Sequence, residues 1–103
     1  MKTIINLTPH VINIGERTFP ASGQLARVAV INSPCGDFDG LPLVSGTYGS
    51  VTGLPPQEDG TLLLVSAMVR AALPGRKDLA SPSGLVRDAA GVIVGASALE
   101  VNR

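Results

Sequence analysis

Glycine and proline interrupt this chain so often that no long helix can form. The sequence has 12 Gly and 8 Pro among 103 residues, which is about one such residue in every five. Proline removes a backbone donor and glycine loses much entropy in regular structure, so this spacing favours short strands joined by turns. Only residues 66–73 predict a helix, since Ser66 is a suitable N-cap and Pro74-Gly75 ends the segment.

Short runs of aliphatic and β-branched residues predict the strands of the first half. We expect strands at 3–6 and 11–14, then a turn at Gly15-Glu16 that leads into a strand at 17–20. Residues 25–31 are mostly apolar on both faces, with Arg27 on one of them, which predicts a central strand. Residues 34–40 form a predicted turn around Asp39-Gly40, and strands at 41–44 and 48–52 form a predicted hairpin around Ser45-Gly46-Thr47.

The second half predicts two further strand regions separated by loops. Residues 54–60 and 76–84 are rich in polar residues and contain proline, which predicts exposed loops. The run 61–65 predicts a buried strand that directly precedes the helix. Residues 85–87 and 92–94 predict a final hairpin, and Gly95 allows a bend before a last strand at 97–101.

The composition requires that the chain folds into one domain. It is 45% apolar and only 16% charged, and 103 residues suffice for a single core. About seven to nine short strands leave many strand edges whose backbone groups are unpaired. Closure of the sheet, or pairing of edges between subunits, would give these groups hydrogen-bonding partners. We therefore predict one mainly β domain over residues 1–103, a small antiparallel β-barrel or roll with one short helix, which forms a homo-oligomer.

Charge and cysteine content exclude several classes of protein. Eight basic and eight acidic residues leave no net charge, and Phe19, Phe38 and Tyr48 are the only aromatic residues, so nucleic acid is not an expected partner. The longest apolar run, Leu62-Leu63-Leu64-Val65, is far too short to cross a membrane. The single Cys35 excludes an internal disulfide framework, and we expect a cytoplasmic protein.

The sequence contains no complete catalytic or metal-binding motif. His10 is the only histidine and Cys35 the only cysteine, so neither a multi-histidine nor a thiolate site for zinc can be built. A nucleophilic enzyme would have to combine His10 with Cys35 or with a serine, and no G-x-S-x-G motif is present. The glycine-rich segment 46–53 lacks the spacing of a phosphate-binding loop. We expect no enzymatic activity, no metal and no cofactor.

A group of polar residues late in the chain is the best candidate for a binding site. Guanidinium groups bind phosphates or carboxylates through two parallel hydrogen bonds, and Asp and Ser can accept from or donate to ribose hydroxyls. The alternative is that these residues form ordinary surface ion pairs and solvated loops. The predicted ligand-binding residues are Arg70, Arg76, Asp78, Arg87 and Asp88, flanked in sequence by Lys77, Ser81 and Ser83, with His10 and Tyr48 as further wall residues.

Several segments are similar to a group of small proteins of about this length that tailed phages encode. They are Ile5-Asn6-Leu7-Thr8-Pro9-His10, Gly53-Leu54-Pro55, Leu64-Val65-Ser66, the loop 76–82, Val86-Arg87-Asp88 and the run Gly91-Val92-Ile93-Val94-Gly95. The resemblance implies an accessory protein made in an infected bacterial cell. Small phage proteins without catalytic residues often act by occupancy, either by sequestering a nucleotide signal of host immunity or by covering a host protein.

Two functional hypotheses follow. The first is a binding protein that sequesters a small anionic ligand, such as a cyclic nucleotide or an ADP-ribose-like signal. The second is a protein-interaction module that inhibits a host defence protein or scaffolds phage assembly. The exposed-looking connector Leu54-Pro55-Pro56 and the apolar strands support the second, because such strands suit pairing with a partner.

Overall fold

The computed structural model describes residues 2–102, and that part of the chain holds eight strands and one helix. The mainly β fold and the single short helix are confirmed. In chain order the elements are β1 (Thr3–Asn6), β2 (Ile12–Ile14), β3 (Arg17–Phe19), β4 (Arg27–Phe38), β5 (Leu41–Thr52), β6 (Thr61–Leu64), α1 (Ala67–Ala72), β7 (Leu79–Arg87) and β8 (Ile93–Val101).

A six-stranded sheet in the order β1-β6-β7-β8-β2-β3, together with α1, makes what we call the body. The sheet is nearly closed into a barrel. At the gap between its two edge strands, Asn6 Nδ2 at the end of β1 donates to the carbonyl of Phe19 at the end of β3 over 2.9 Å. The predicted antiparallel pairing holds for β7–β8 and β2–β3, but β1–β6, β6–β7 and β2–β8 are parallel, so the sheet is mixed.

The core lies where β6, α1 and β7 meet. Leu63, Val65, Val69 and Leu79 pack together with Leu7, and all five are buried. Strand β6 is apolar on both faces because the helix connects it to the parallel strand β7, and strands of this kind are covered on both sides. Ser66 Oγ accepts from Val69 N over 3.2 Å, which caps the helix as predicted.

The buried amide of Asn6 fixes the turn that follows β1. Its Nδ2 also donates to the carbonyl of His10 over 2.7 Å, and its Oδ1 accepts from Thr8 N and Thr8 Oγ1 over 2.9 and 2.7 Å. The side chain is 2% exposed and every polar atom has a partner, so the energetic cost of burying it is offset. The polar start of the chain therefore serves the fold.

Five strand predictions were wrong. Strand β4 continues through residues 34–38 of the predicted turn, and β8 continues through the predicted bend at Gly95. Residues 25–31 do not form a central strand, because β4 pairs only with β5 in a separate two-stranded sheet. The predicted turn at Ser45-Gly46-Thr47 does not form, because Gly46 lacks the positive φ of a tight turn and β5 continues through it. The predicted loop 76–84 contains the first half of β7, since β6 and β8 provide hydrogen-bonding partners on both sides.

The base of the β4–β5 hairpin is attached to the body by apolar contacts and by one glycine. Val28 and Val51 pack against the core beside Leu54. Gly53, directly after β5, has φ of +86°, and a Cβ atom there would overlap the carbonyl oxygen of Leu25. Only glycine fits this position, because the backbone is left-handed and the neighbouring chain is in contact.

Candidate binding surfaces

Arg70 is held inside a network that joins the helix to the end of the chain. Its Nε donates to Ser81 Oγ over 2.9 Å, Nη1 to Asn102 Oδ1 over 3.1 Å, and Nη2 to Glu100 Oε2 over 3.0 Å. The guanidinium therefore already has partners on three of its nitrogens. The structure shows this predicted ligand-binding residue in a structural role, connecting α1 to β7 and β8.

Arg76 and Asp78 form a second internal pair. Arg76 Nε and Nη2 donate to the two carboxylate oxygens over 2.8 and 2.7 Å, and Nη2 also donates to the carbonyl of Pro55 over 3.1 Å. The Asp78 side chain is only 4% exposed. Hydrogen bonds from Arg76 hold the pKa of Asp78 below its usual value, although burial opposes the shift. The same bonds raise the pKa of Arg76.

Asn102 is a residue that the sequence did not single out. Its Nδ2 lies 3.0 to 3.1 Å from the carbonyl oxygens of Arg70, Leu73 and Arg76, and its Oδ1 accepts from Arg70. It thus adds a donor to the carbonyls at the end of the helix, of which those of Arg70 and Leu73 also accept from the backbone N–H groups of Leu73 and Arg76. No local sequence pattern predicts these hydrogen bonds, because they join residues that are about thirty positions apart.

Arg87 and Asp88 lie at the far end of the β7–β8 hairpin. Arg87 Nη1 donates to the carbonyl of Gly91 over 2.9 Å, and Asp88 Oδ1 accepts from the backbone N–H groups of Ala90 and Val92. Arg87 is six residues along β7 from Ser81, to which Arg70 donates. This spacing places Arg87 about 20 Å from Ser81. Both residues therefore shape a hairpin turn.

The remaining members of the predicted set are also separate. His10 is exposed in the turn after β1, and Tyr48 is exposed on β5. The structure joins Arg70 and Arg76 through Asn102, and it does not bring Arg87, His10 or Tyr48 to them. The seven residues do not line one cavity within a single chain.

The longest exposed surface is the β4–β5 hairpin beyond its base, which we call the arm (residues 29–50). Every residue of the arm is exposed. Its two strands have 12 residues each, and the arm extends for about 35 Å. Phe38 is 72% exposed and Tyr48 is 65% exposed. An isolated two-stranded hairpin is marginally stable in water, so a surface of this kind needs cover.

The register of the arm gives it two apolar faces. Val30 lies opposite Tyr48, and Val44 is on the same side of β5 as Tyr48. Ile31 lies opposite Thr47, on the other side. We call these sides the first face and the second face. The first face carries Val30, Pro34, Val44 and Tyr48, and the second face carries Ile31, Phe38, Leu41 and Leu43.

The arm makes the molecule larger than a compact chain of its length. The radius of gyration is 16.3 Å, against about 13 Å for a compact domain of this size. The accessible surface is 7003 Å², which is about 1,600 Å² more than a compact protein of this mass exposes. This excess is comparable to the total area buried in a protein–protein interface of ordinary size.

The free edges of the arm are poorly suited to strand addition. Pro34 lies in β4 and Pro42 in β5, and each strand has one free edge. Proline has no N–H to donate to an added strand. Irregularities between Val28 and Val30 and between Pro34 and Gly36 also break the regular ladder. The faces of the arm are therefore better docking surfaces than its edges.

A cleft of about 560 Å³ lies at the gap between β1 and β3 and is called the seam cleft here. Lys2, Arg17 and Lys77 line it, and none of them has a carboxylate within 4.0 Å among residues 2–102. Arg17 lies over the ring of Phe19, 5.0 Å from its centroid. The carboxylates of Glu58 and Asp59 are on the same wall, as is Asp78, which Arg76 neutralises.

Comparison with models of protein families, with curated proteins and with solved structures finds no match. The resemblance to tailed-phage proteins thus stays a prediction. Within the described residues, no group of three or more His, Cys, Asp or Glu side chains is placed to hold a metal ion. No helix in that part of the chain is both long and apolar enough to cross a membrane.

Proposed function

We propose that this protein is a non-catalytic interaction module that docks onto a protein surface through its arm. The observation that carries the proposal is the continuous exposure of residues 29–50, which include large apolar side chains on both faces. Exposed apolar patches of this extent mark interaction surfaces in folded proteins. In the phage context that the resemblance suggests, the partner is a host defence protein or a component of phage assembly.

The composition of the arm supports docking through apolar contacts. Residues 28–36 and 40–52 contain no Asp, Glu, Lys or Arg, and the two carboxylates of the arm, Asp37 and Asp39, lie near its tip. The centres of protein interfaces are depleted in charged residues and enriched in aromatic ones, and Tyr48 and Phe38 are of that type. The longest uninterrupted exposed segment of the body within residues 2–102 is the hairpin end 84–94, which is half as long as the arm and contains the charged residues Arg87 and Asp88.

Site-specific photo-crosslinking in cells tests the proposal. A photoreactive amino acid replaces Tyr48 on the arm, and in a matched control it replaces Val11, which is exposed on a loop of the body. We expect covalent protein adducts from position 48 and few from position 11. Adducts that are absent from position 48, or equally abundant from both positions, contradict the proposal.

Sequestration of a small anionic ligand is the second candidate, and the seam cleft is the observation that favours it. Its volume of about 560 Å³ lies within the range of ligand-binding cavities. Lys2, Arg17 and Lys77 supply cationic groups, and the exposed face of the Arg17–Phe19 stack suits a planar ring. In this proposal the cleft takes the role that the sequence assigned to Arg70, Arg76 and Arg87, with a cyclic nucleotide or an ADP-ribose-like molecule as ligand.

Isothermal titration calorimetry against a panel of signalling nucleotides tests the second candidate. We expect binding of one of them by the native chain, and at least tenfold weaker binding by Arg17→Gln. Arg27→Gln at the base of the arm is the control, because it removes an exposed arginine outside the cleft. No heat with any nucleotide, or equal loss in both variants, contradicts sequestration in the seam cleft.

A further inference from the structure

We infer that the partner that covers the arm is the arm of a second copy of this chain, which packs against it through the second face. The inference rests on the proposed function, because both assign intermolecular binding to the arm. It assigns the second face of the arm to a second copy of the chain, and it leaves the first face, which carries Tyr48, for the docking partner of the proposed function. Ile31, Phe38, Leu41 and Leu43 form the second face.

Symmetry is the first argument. In a two-fold dimer the same patch of both subunits forms the interface, so the patch must be complementary to itself. A ribbon face whose apolar side chains are separated only by small hydroxyl groups, with no charge before the tip, meets this condition. Residues 28–36 and 40–52 carry no charge, so the like charges of the two arms are confined to Asp37 and Asp39 near the tip, and the eight basic and eight acidic residues of the whole chain leave no net repulsion between copies.

Area is the second argument. A stable interface of standard size removes about 800 Å² from each partner. The chain exposes 7003 Å², about 1,600 Å² above the value for a compact protein of its mass. Packing one face of each arm against the other therefore needs only about half of that excess. The two faces of the arm provide this area without any rearrangement of the body.

The choice of the second face follows from its side chains. It has four large apolar residues along the ribbon, and Phe38 and Leu41 stand opposite each other next to the tip. The polar groups of the second face are the hydroxyls of Ser33, Ser45 and Thr47, whereas the first face carries the amide of Asn32 and the carboxylate of Asp37, which cost more to bury. Burial of the first face in a dimer would require a partner for this amide.

The decisive comparison uses two β-branched residues with nearly equal exposure on opposite faces. Ile31 is 59% exposed on the second face, and Val44 is 58% exposed on the first face. Multi-angle light scattering at about 100 µM protein, a concentration at which a micromolar dimer is almost fully formed, should give twice the 10.5 kDa mass of one chain. Ile31→Asp should return the mass to that of one chain, and Val44→Asp should leave the dimer intact.

Circular dichroism and a cooperative thermal transition verify that each variant is folded. If Ile31→Asp fails that control, Leu41→Asp tests the same face, since Leu41 is also exposed and lies away from the core. A native chain that has the mass of a monomer at this concentration overturns the inference. A dimer that survives both second-face substitutions, or that Val44→Asp dissociates, also overturns it.

The crosslinking experiment separates this failure from failure of the proposed function. A photoreactive amino acid at Leu43, on the second face, should give adducts that contain two copies of the chain, whereas position 48 lies on the first face and should give few of these. A monomeric chain whose arm forms adducts with a different protein contradicts the inference and leaves the proposed function standing. A monomeric chain without arm-specific adducts contradicts both.

Discussion

The body and the arm use the same kinds of residue for opposite purposes. In the body, strands of three to nine residues bury Leu63, Leu64 and Leu79 almost completely. In the arm, two strands of 12 residues leave Ile31, Leu41 and Val44 exposed. Backbone hydrogen bonds alone do not make a sheet stable in water. Burial of apolar side chains must also contribute to its free energy of unfolding. The body folds by this burial, and we propose that the arm keeps its apolar surface for another molecule.

Truncation of leucines should give the largest contrast between the two regions. Leu64 is fully buried and Leu41 is 65% exposed. Leu64→Ala should lower the free energy of unfolding by about 3 kcal/mol, because it removes buried contacts and leaves a cavity. Leu41→Ala should change it by less than about 0.5 kcal/mol. Urea denaturation at a protein concentration low enough to keep the chain monomeric measures both values, and equal losses would contradict the division into body and arm.

Two glycines that both have positive φ test how the arm is attached. Gly53 at the base of the arm faces the carbonyl oxygen of Leu25, whereas nothing lies within 4 Å of a Cβ atom at Gly23. Gly53→Ala should cost about 3 kcal/mol, since the chain must move as well as adopt a strained conformation. Gly23→Ala should cost about 1 kcal/mol from strain alone. Similar losses in thermal unfolding would show that the close contact with Leu25 is not important.

The buried ion pair should stabilise the body more than any polar group of the arm. Asp78→Ala leaves Arg76 without its carboxylate and opens the contact with Pro55, so we expect a loss of about 2 kcal/mol. Asp39→Ala, at the tip of the arm, removes a carboxylate that forms no ion pair within the described residues. It should cost less than about 1 kcal/mol. Chemical denaturation of the two variants provides the comparison.

The same pair predicts how stability depends on pH. The pKa of Asp78 is lowered in the folded chain, so its stabilising contribution is complete above the ordinary value near 4. This contribution is lost as the pH falls through the lower pKa of the folded state. The stability advantage of the native chain over Asp78→Asn should thus shrink between about pH 5 and pH 2. A constant difference across that range would contradict the assigned cause of the shift.

The sequence predicts the elements whose cause is local. Strand β6 is identified by the apolar run at 61–65, and α1 is identified by the capping serine and by Pro74-Gly75. In each case the residues that determine the element lie next to one another in the sequence. Only the first half of β7 was missed, because Ser81 and Pro82 resemble loop residues, and β6, β8 and Arg70 explain how Ser81 becomes buried. Such partners are distant in sequence.

The arm and the arginines show the limit of pattern reading. A strand with two apolar faces predicts burial, and 25–31 was therefore assigned to the centre of the sheet. The same pattern also suits a ribbon that is covered by another molecule, and a single sequence does not distinguish the two. Proximity in sequence likewise grouped Arg70, Arg76 and Arg87, but internal carboxylate and amide partners hold the first two, and the length of β7 separates the third.

Hydrogen–deuterium exchange as a function of protein concentration tests the central claim most directly. We expect amides of β6 and the first half of β7 to stay protected at all concentrations, because they lie in the core of the body. Amides of residues 29–50 should exchange rapidly in dilute solution and become protected as the concentration rises. Arm amides that are as protected as those of β6 in dilute solution, or that exchange equally fast at every concentration, would contradict the account.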